Sequence, residues 1–200
     1  MIVLYPDPIL REKCPAVKSG DEELVETINL LKKTLQEAKT GIGLAAPQVG
    51  RRQRVFLIKE LTCYCENGRC QKDHFQVFIN PQIVDYFNQE KVFPKILNEN
   101  GQEEPFLEGC LSFPHLYGPV KRWLKIKVSY QVFNRQKGEL QPKTEILEDL
   151  PAIVFQHELD HLDGILFIDH IKREKEKLFR EEKGKLKPIR LTSITSLFSG

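Results

Sequence analysis

Residues 156–164 read QHELDHLDG, in which His157 and His161 stand one helical turn apart and Glu158 sits beside the first. Positions i and i+4 of a helix share a face, so both rings can converge on one cation while the carboxylate reaches a water beside it. That is the HExxH arrangement of hydrolytic metal sites, although five letters with two wildcards also occur by chance on a solvated helix. The surroundings favour the metal: Leu150, Ile153, Val154, Leu159 and Leu162 make an apolar stripe that would bury this helix, and Gly164 supplies a stop. Buried His and Glu side chains need partners, and a metal is the obvious one.

Two imidazoles leave a tetrahedral site short of a third ligand. In the downstream pattern HExxHxxGxxH the last His would fall at position 167, which is Phe167, and His170 comes three residues too late. Glu174 and Glu176 lie in KREKEK, which reads as an exposed mixed-charge face. Upstream, EGCLSFP at residues 108–114 offers Cys110, with Gly109 admitting close backbone approach. A thiolate is a strong ligand for zinc or ferrous iron, whereas the commonest fate of a free Cys is to pack as a small hydrophobe. GIGLAAPQVG at residues 41–50 is rich in small residues, and no lysine follows its glycines, so it is a poor phosphate cradle. Its backbone looks built to be approached.

In this order and spacing, GIGLAAPQVG, EGCLSFP and QHELDHLDG resemble the three motifs of the peptide deformylases. The opening YPDPILREKCPAV is similar to that family's start, so the resemblance runs from about Tyr5 to Ile171. It implies an α+β fold, with antiparallel β-sheets around a central helix that bears the HExxH residues. It also implies a hydrolase that removes the N-formyl group from the initiator formyl-methionine of nascent polypeptides and releases formate. In that reading Cys110, His157 and His161 hold one divalent metal and Glu158 is the general base. Ferrous iron is expected in the cell, while the ligand types also admit zinc, nickel or cobalt in purified protein. The family draws its oxyanion donors from the amide after the cysteine ligand and from a glutamine, here Leu111 and Gln48. Ile42 and Gly43 resemble the segment that pairs with an extended peptide. Leu150, Ile153 and Val154 fall where relatives line the methionine pocket, and would otherwise be plain core. Tyr117 and Gly118 stand where some relatives carry an arginine near the substrate.

The elements that must position these residues can be read from periodicity. Ser19 and Glu22 predict a capping box before Leu24, Ile28, Leu31, Leu35 and Ala38, one face of an amphipathic helix that Gly41 would stop. RVFLI, FQVFINP and WLKIKVSYQVF predict strands, most clearly where Leu124, Ile126, Val128, Tyr130 and Val132 alternate with polar or small neighbours. The HExxH helix is predicted to start near Glu148 or Asp149, either serving as cap, with Pro151 in its first turn. A catalytic domain is expected over 1–171, followed by a charged C-terminal helix and tail over 172–200, where Glu residues alternate with Lys and Arg at helical spacing. Insertions are expected at 59–75 and 87–107. The first holds Cys63, Cys65, Cys70 and His74, but CxC is not the CxxC of common structural zinc sites, and an exposed loop is preferred to a second metal or a disulfide.

With 30 Lys and Arg against 28 Asp and Glu, the net charge of +2 argues against a specific DNA partner, although residues 172–190 concentrate basic side chains. No apolar run is long enough to span a bilayer or to form a signal peptide, so a cytoplasmic protein without a membrane partner is expected. A monomer with at most a passing contact to the ribosome completes the expectation. Two competitors are an HExxH metalloprotease, which needs the downstream ligand rejected above, and a metal or thiol sensor. Glu158 discriminates against the sensor, because a structural site needs no base and closes its fourth position with another ligand.

Overall fold

The spacing of Leu24, Ile28, Leu31 and Leu35 produces helix α1, Leu24–Glu37, which buries all four side chains. The computed structural model describes residues 1–38, 40–60, 74–87, 91–97, 100–134, 137–191 and 194, together with the backbone of 65–66 and 69–70. The predicted capping box does not form. Gly20 is left-handed with φ 81°, a conformation no helix continues, so Ser19 cannot cap; Asp21 instead accepts a bond from the Glu23 amide at 3.0 Å. Nor is Gly41 the stop, since the helix ends at Glu37 with Ala38 extended. A Cβ on Gly41 would stand 2.8 Å from the tips of both Leu35 and Leu111, so its smallness serves packing.

After α1 come β1 (Gly43–Ala45), β2 (Val55–Lys59), the short pair β3 (Cys65–Glu66) and β4 (Arg69–Cys70), and β5 (Phe75–Tyr86). Next are β6 (Lys95–Leu97), β7 (Glu103–Pro105), β8 (Leu107–Cys110), β9 (Phe113–Pro119), β10 (Lys125–Asn134) and β11 (Glu139–Glu148). Helices α2 (Asp149–Leu162) and α3 (Phe167–Glu174) precede β12 (Leu178–Glu182) and β13 (Lys185–Ile189). Among the described residues the two larger antiparallel sheets are ordered β1-β2-β5-β10-β11 and β13-β12-β9-β8, beside the two-stranded pairs β3-β4 and β6-β7, which is the α+β architecture the sequence implied.

Strand β2 explains why the motifs meet. Its run Val55–Ile58 is buried on both faces: Phe56 and Ile58 join Ala152, Val154 and Phe155 of α2, whereas Val55 and Leu57 join Leu24, Ile28 and Leu31 of α1. A strand covered by a helix on each side is apolar throughout, because alternate side chains enter different cores. A third cluster seats Phe167, Ile168 and Ile171 of α3 on Phe113 and Leu116 of the second sheet. Helix α2 thus has its apolar side on the first sheet and brings His157 and His161 to β8 of the second.

Among the described residues of 172–191, the expected charged C-terminal helix is replaced by a hairpin. Helix α3 ends at left-handed Lys175, φ 57°, and the chain returns as the hairpin β12–β13. Two features outweigh the helical charge spacing. Leu178 is fully buried against the α3 cluster, and Lys183–Gly184, with φ 52° and 74°, makes the left-handed two-residue turn that hairpins favour. Phe179 and Arg180 pair with Tyr117 and Leu116, so this hairpin belongs to the same sheet as Cys110.

Residues 60–74 interrupt a hairpin, because β2 and β5 already pair at Lys59 and Phe75. Cys63 and the side chains of Cys65 and Cys70 lie outside the described residues; the Cys65 and Cys70 backbones face each other across β3–β4, and the His74 carbonyl accepts from the Glu60 amide. The segment before EGCLSFP folds into the β6–β7 hairpin, and Val92 bridges to Arg122. Among the described residues no helix is long and apolar enough to cross a membrane.

Candidate metal centre

Helix α2 delivers three of the site's side chains one turn apart. Pro151 lies in its first turn as expected, but the cap differs: Glu148 holds the N-cap position without a side-chain bond, and the Asp149 amide donates to the Leu124 carbonyl. The helix stops after Leu162, and Gly164 is required twice over: its φ is 70°, and a Cβ there would lie 2.4 Å from the Arg11 carbonyl oxygen.

Cys110 ends β8 at the turn formed by Leu111 and Ser112, with Phe113 opposite it in β9. Its Sγ lies 3.2 Å from His161 Nε2, and the ligand atoms of Cys110, His157 and His161 all fall within 4.8 Å of one another. Ligands bound to one ion at about 2.0–2.3 Å and a tetrahedral angle apart stand roughly 3.5 Å from each other, so this trio fits a divalent metal. The hydrogen bonding fits as well. His157 Nδ1 lies 2.9 Å from Glu108 Oε2, and since a carboxylate only accepts, the Nδ1–H donates and Nε2 is left as the ligand atom. Burial lowers His161 to about 3, keeping it a neutral donor. For His157 burial works against the charged form, but Cys110 and Glu108 outweigh it and push the ring upward.

Glu158 is 3% exposed, and its Oε2 has no hydrogen-bond partner among the described residues. Burial raises it to about 7. Gly43 gives it room, for a Cβ there would stand 2.3 Å from Oε1. Gln48 sits in a 3₁₀ turn over Ala46–Val49. Its Oε1 accepts from the Ala45 amide at 2.8 Å, which fixes the orientation of the side chain. Its Nε2 donates to Ser112 Oγ at 3.2 Å and lies 3.5 Å from Cys110 Sγ. One cleft of about 490 Å³ is lined by Ile42, Gly43, Gln48, Cys110, Leu111, Ile153, Val154, His157 and Glu158, with His161 behind Cys110 and outside that lining. Leu150 is not in that lining and packs, partly buried, against the core between α2 and the first sheet.

A buried ion network beneath the site escaped the sequence reading. Arg122, 1% exposed, donates to both Glu108 oxygens at 2.7 and 2.9 Å and to Asp160 Oδ2 at 2.6 Å. His170, considered above only as a metal ligand, instead places Nε2 2.7 Å from Asp160 Oδ2; Arg173 donates to its Nδ1 at 2.6 Å, so Nε2 carries the proton. Burial alone would raise Glu108, but Arg122 overcomes it and holds the carboxyl at about 2. Glu108 and Asp160 stand inside the two motifs that carry the ligands and so had a local signal. Arg122 and His170 had none.

A family model described as polypeptide deformylase matches residues 1–177. A peptide deformylase of Desulfotalea psychrophila is 39% identical over 181 residues, 90% of this chain and 92% of its own length. That of Thermotoga neapolitana is 38% identical over 178 residues, 89% of this chain and 90% of its own. Among solved structures, the peptide deformylase of Thermotoga maritima aligns with a TM-score of 0.64 at 36% identity, covering 85% of this chain and 95% of the other. A Plasmodium falciparum peptide deformylase aligns with a TM-score of 0.65 at 32% identity over 88% and 90%.

Proposed function

This chain belongs to the polypeptide deformylase family, and from that premise we propose how its own residues remove the N-formyl group from nascent polypeptides. The observation that carries the reading is the convergence of Cys110, His157 and His161 beside a buried Glu158 whose Oε2 has no hydrogen-bond partner among the described residues, with Cys110, His157 and Glu158 on one open cleft. Those three side chains would hold a divalent ion, which would supply the Lewis acidity that makes a water nucleophilic at neutral pH. Ferrous iron is the ion we assign in the cell.

Glu158 takes the proton of the attacking water as the C–O bond to the formyl carbon forms, and returns it to the nitrogen as the C–N bond breaks, leaving formate and a free amine. Its apolar surroundings suit this work, since a carboxyl raised to about 7 exchanges a proton readily near neutrality. A thiolate ligand quenches more of the ion's charge than an imidazole, which makes that carboxylate more important. Gln48 Nε2 and the Leu111 amide donate to the developing oxyanion. The Ala45 amide holds Gln48 in position beforehand, so charge is met without reorganisation. Strand β1 is the edge of its sheet, with Ile42 and Gly43 on the cleft, and receives the peptide as an added strand. Main-chain pairing of that kind tolerates varied sequence after the first side chain. Ile153 and Val154 form the apolar seat for methionine, with Leu150 behind them in the core. The chain works as a cytoplasmic monomer, in transient contact with the ribosome.

The test is formate release from formyl-Met-Ala-Ser by anaerobically purified, metal-loaded protein beside Glu158→Gln. Release that falls by about 10²- to 10⁴-fold in the variant is expected. No formate from demonstrably metal-loaded protein, or cleavage of the backbone of an unformylated peptide, would overturn the reading. Reconstitution with ferrous iron or nickel is expected to give faster turnover than zinc, and equal rates would remove the iron assignment.

A further inference from the structure

The C-terminal hairpin supplies a carboxylate to the substrate cleft that the reaction itself does not use. Glu181, on β12, borders the same cavity as Gly43, Cys110 and Glu158. It is held there: the Tyr117 hydroxyl donates to its Oε2 at 3.3 Å. The Tyr117 ring in turn lies across Gly109, where a Cβ would come within 2.7 Å of it. Gly109 and Tyr117 are directly paired across β8–β9, so the ring is laid over the strand that ends in Cys110. The side chain of Glu181 is 39% exposed, which leaves room for a second partner.

Among the described residues, nothing answers its charge permanently. Among the described lining residues there is no lysine or arginine, and the remaining carboxylates are Glu158, at the reaction centre, and Glu108, already paired with Arg122. Among the described residues, His115 is the one basic side chain paired with it, with Nδ1 at 3.9 Å on a side chain 69% exposed and charged only when protonated. Gly41, Ile42 and Gly43 line the cavity together with Tyr117 and Glu181. A peptide extended along β1 advances about 3.3 Å per residue, so its later side chains leave the metal ligands and run out along the cleft.

We propose that Glu181, oriented by Tyr117, forms a subsite for a cationic side chain, so that formyl-methionyl peptides with lysine or arginine shortly after the methionine are preferred over those with aspartate or glutamate. The proposal rests on the deformylase reading and names its preferred substrates. An ion pair at such a partly exposed position shifts binding by up to about fivefold, and the repulsion of an acidic side chain acts in the same direction.

The experiment measures kcat/KM by formate release for formyl-methionyl tetrapeptides carrying lysine or glutamate at the second, third or fourth position, with the metal-loaded native chain, Glu181→Gln and Glu181→Lys. At one position the native lysine-to-glutamate ratio is expected to be about fivefold, near one in Glu181→Gln and below one in Glu181→Lys, with the native ratio shrinking as salt is added. A native ratio near one at every position, or a ratio that survives Glu181→Gln, overturns the subsite while leaving deformylation intact. Absence of formate from the neutral formyl-Met-Ala-Ser with native protein would instead defeat the reading beneath it.

Discussion

The floor of the cleft and its rim both use carboxylates near cationic groups, yet the two are built for opposite ends. At the floor, Glu108 and Arg122 are 4% and 1% exposed, with each Glu108 oxygen bonded to the guanidinium and one also to His157. At the rim, Glu181 has a tyrosine hydroxyl at 3.3 Å and an imidazole at 3.9 Å, and both its neighbour His115 and the carboxylate itself reach solvent. A buried charge must be fully answered, which removes freedom and fixes His157, one of the proposed metal ligands; a half-exposed charge costs little to leave waiting for a partner. On the proposed reading, burial separates residues that hold the chemistry from residues that sort substrates.

The sharpest way to break this contrast is Arg122→Met, which leaves Glu108 and Asp160 without their common cation. A loss of about 3 to 5 kcal/mol of stability is expected in a urea melt, a large fraction of the total for a domain of this size. A loss below about 1 kcal/mol would mean that water reaches the floor and that the contrast in burial carries no energetic weight. Next in size is Gln48→Ala, also at the floor but on the reaction side. It is expected to lower kcat by about 10²- to 10³-fold with KM little changed, because its amide serves the developing oxyanion rather than the bound substrate. An equal rise in KM would reassign Gln48 to substrate binding.

The sequence made the floor's ligands legible and left its supports obscure. His157, Glu158 and His161 lie within five residues of one helix, so the 3.6-residue period alone brings them together. Cys110 was legible as a candidate ligand with a competing reading as a small hydrophobe, and Gln48 needed the resemblance of whole motifs, since no local period connects β8, the 3₁₀ turn and α2. Arg122 lies between β9 and β10 beside Lys121, with nothing in its position to single it out, and only the fold shows that it reaches Glu108 and Asp160. The C-terminal segment failed for a different reason: its alternating charges satisfy helical spacing, but they satisfy a hairpin equally well, as Lys187 and Glu182 do at 2.7 Å across the turn. Burial of Leu178 and the Lys183–Gly184 turn decide between the two, and burial is not visible in a charge pattern.

Acid should dissolve the floor in a defined window. Burial opposes the charged form of Glu108, yet Arg122 holds it at about 2 against an ordinary value of 4.5, and Asp160 is pulled down by the same guanidinium despite its own burial. A folded-state value below the unfolded one means that the carboxylate stabilises the fold above pH 4.5. That contribution is lost progressively as pH falls from 4.5 toward 2. Urea midpoints measured from pH 6 to pH 2.5 should fall through this window in the native chain and more gently in Arg122→Met. A flat native profile would show that the pair is solvated.

The smallest expected effect lies at the rim, and it tests the other half of the contrast. Tyr117→Phe removes the hydroxyl that donates to Glu181 but keeps the ring that fills the space over Gly109, so the packing of β8 on β9 is preserved. Stability should change by less than about 1 kcal/mol, since one partly exposed hydrogen bond is lost and no buried group is orphaned. What should change is the steering of Glu181: without the hydroxyl the carboxylate samples more rotamers, and an ion pair with a substrate cation must order it again. The lysine-to-glutamate preference is therefore expected to fall to about half its native value, with kcat for each peptide nearly unchanged. A fall in kcat as large as that of Gln48→Ala would place Tyr117 with the floor, and the division between chemistry and selection would then run elsewhere in the cleft.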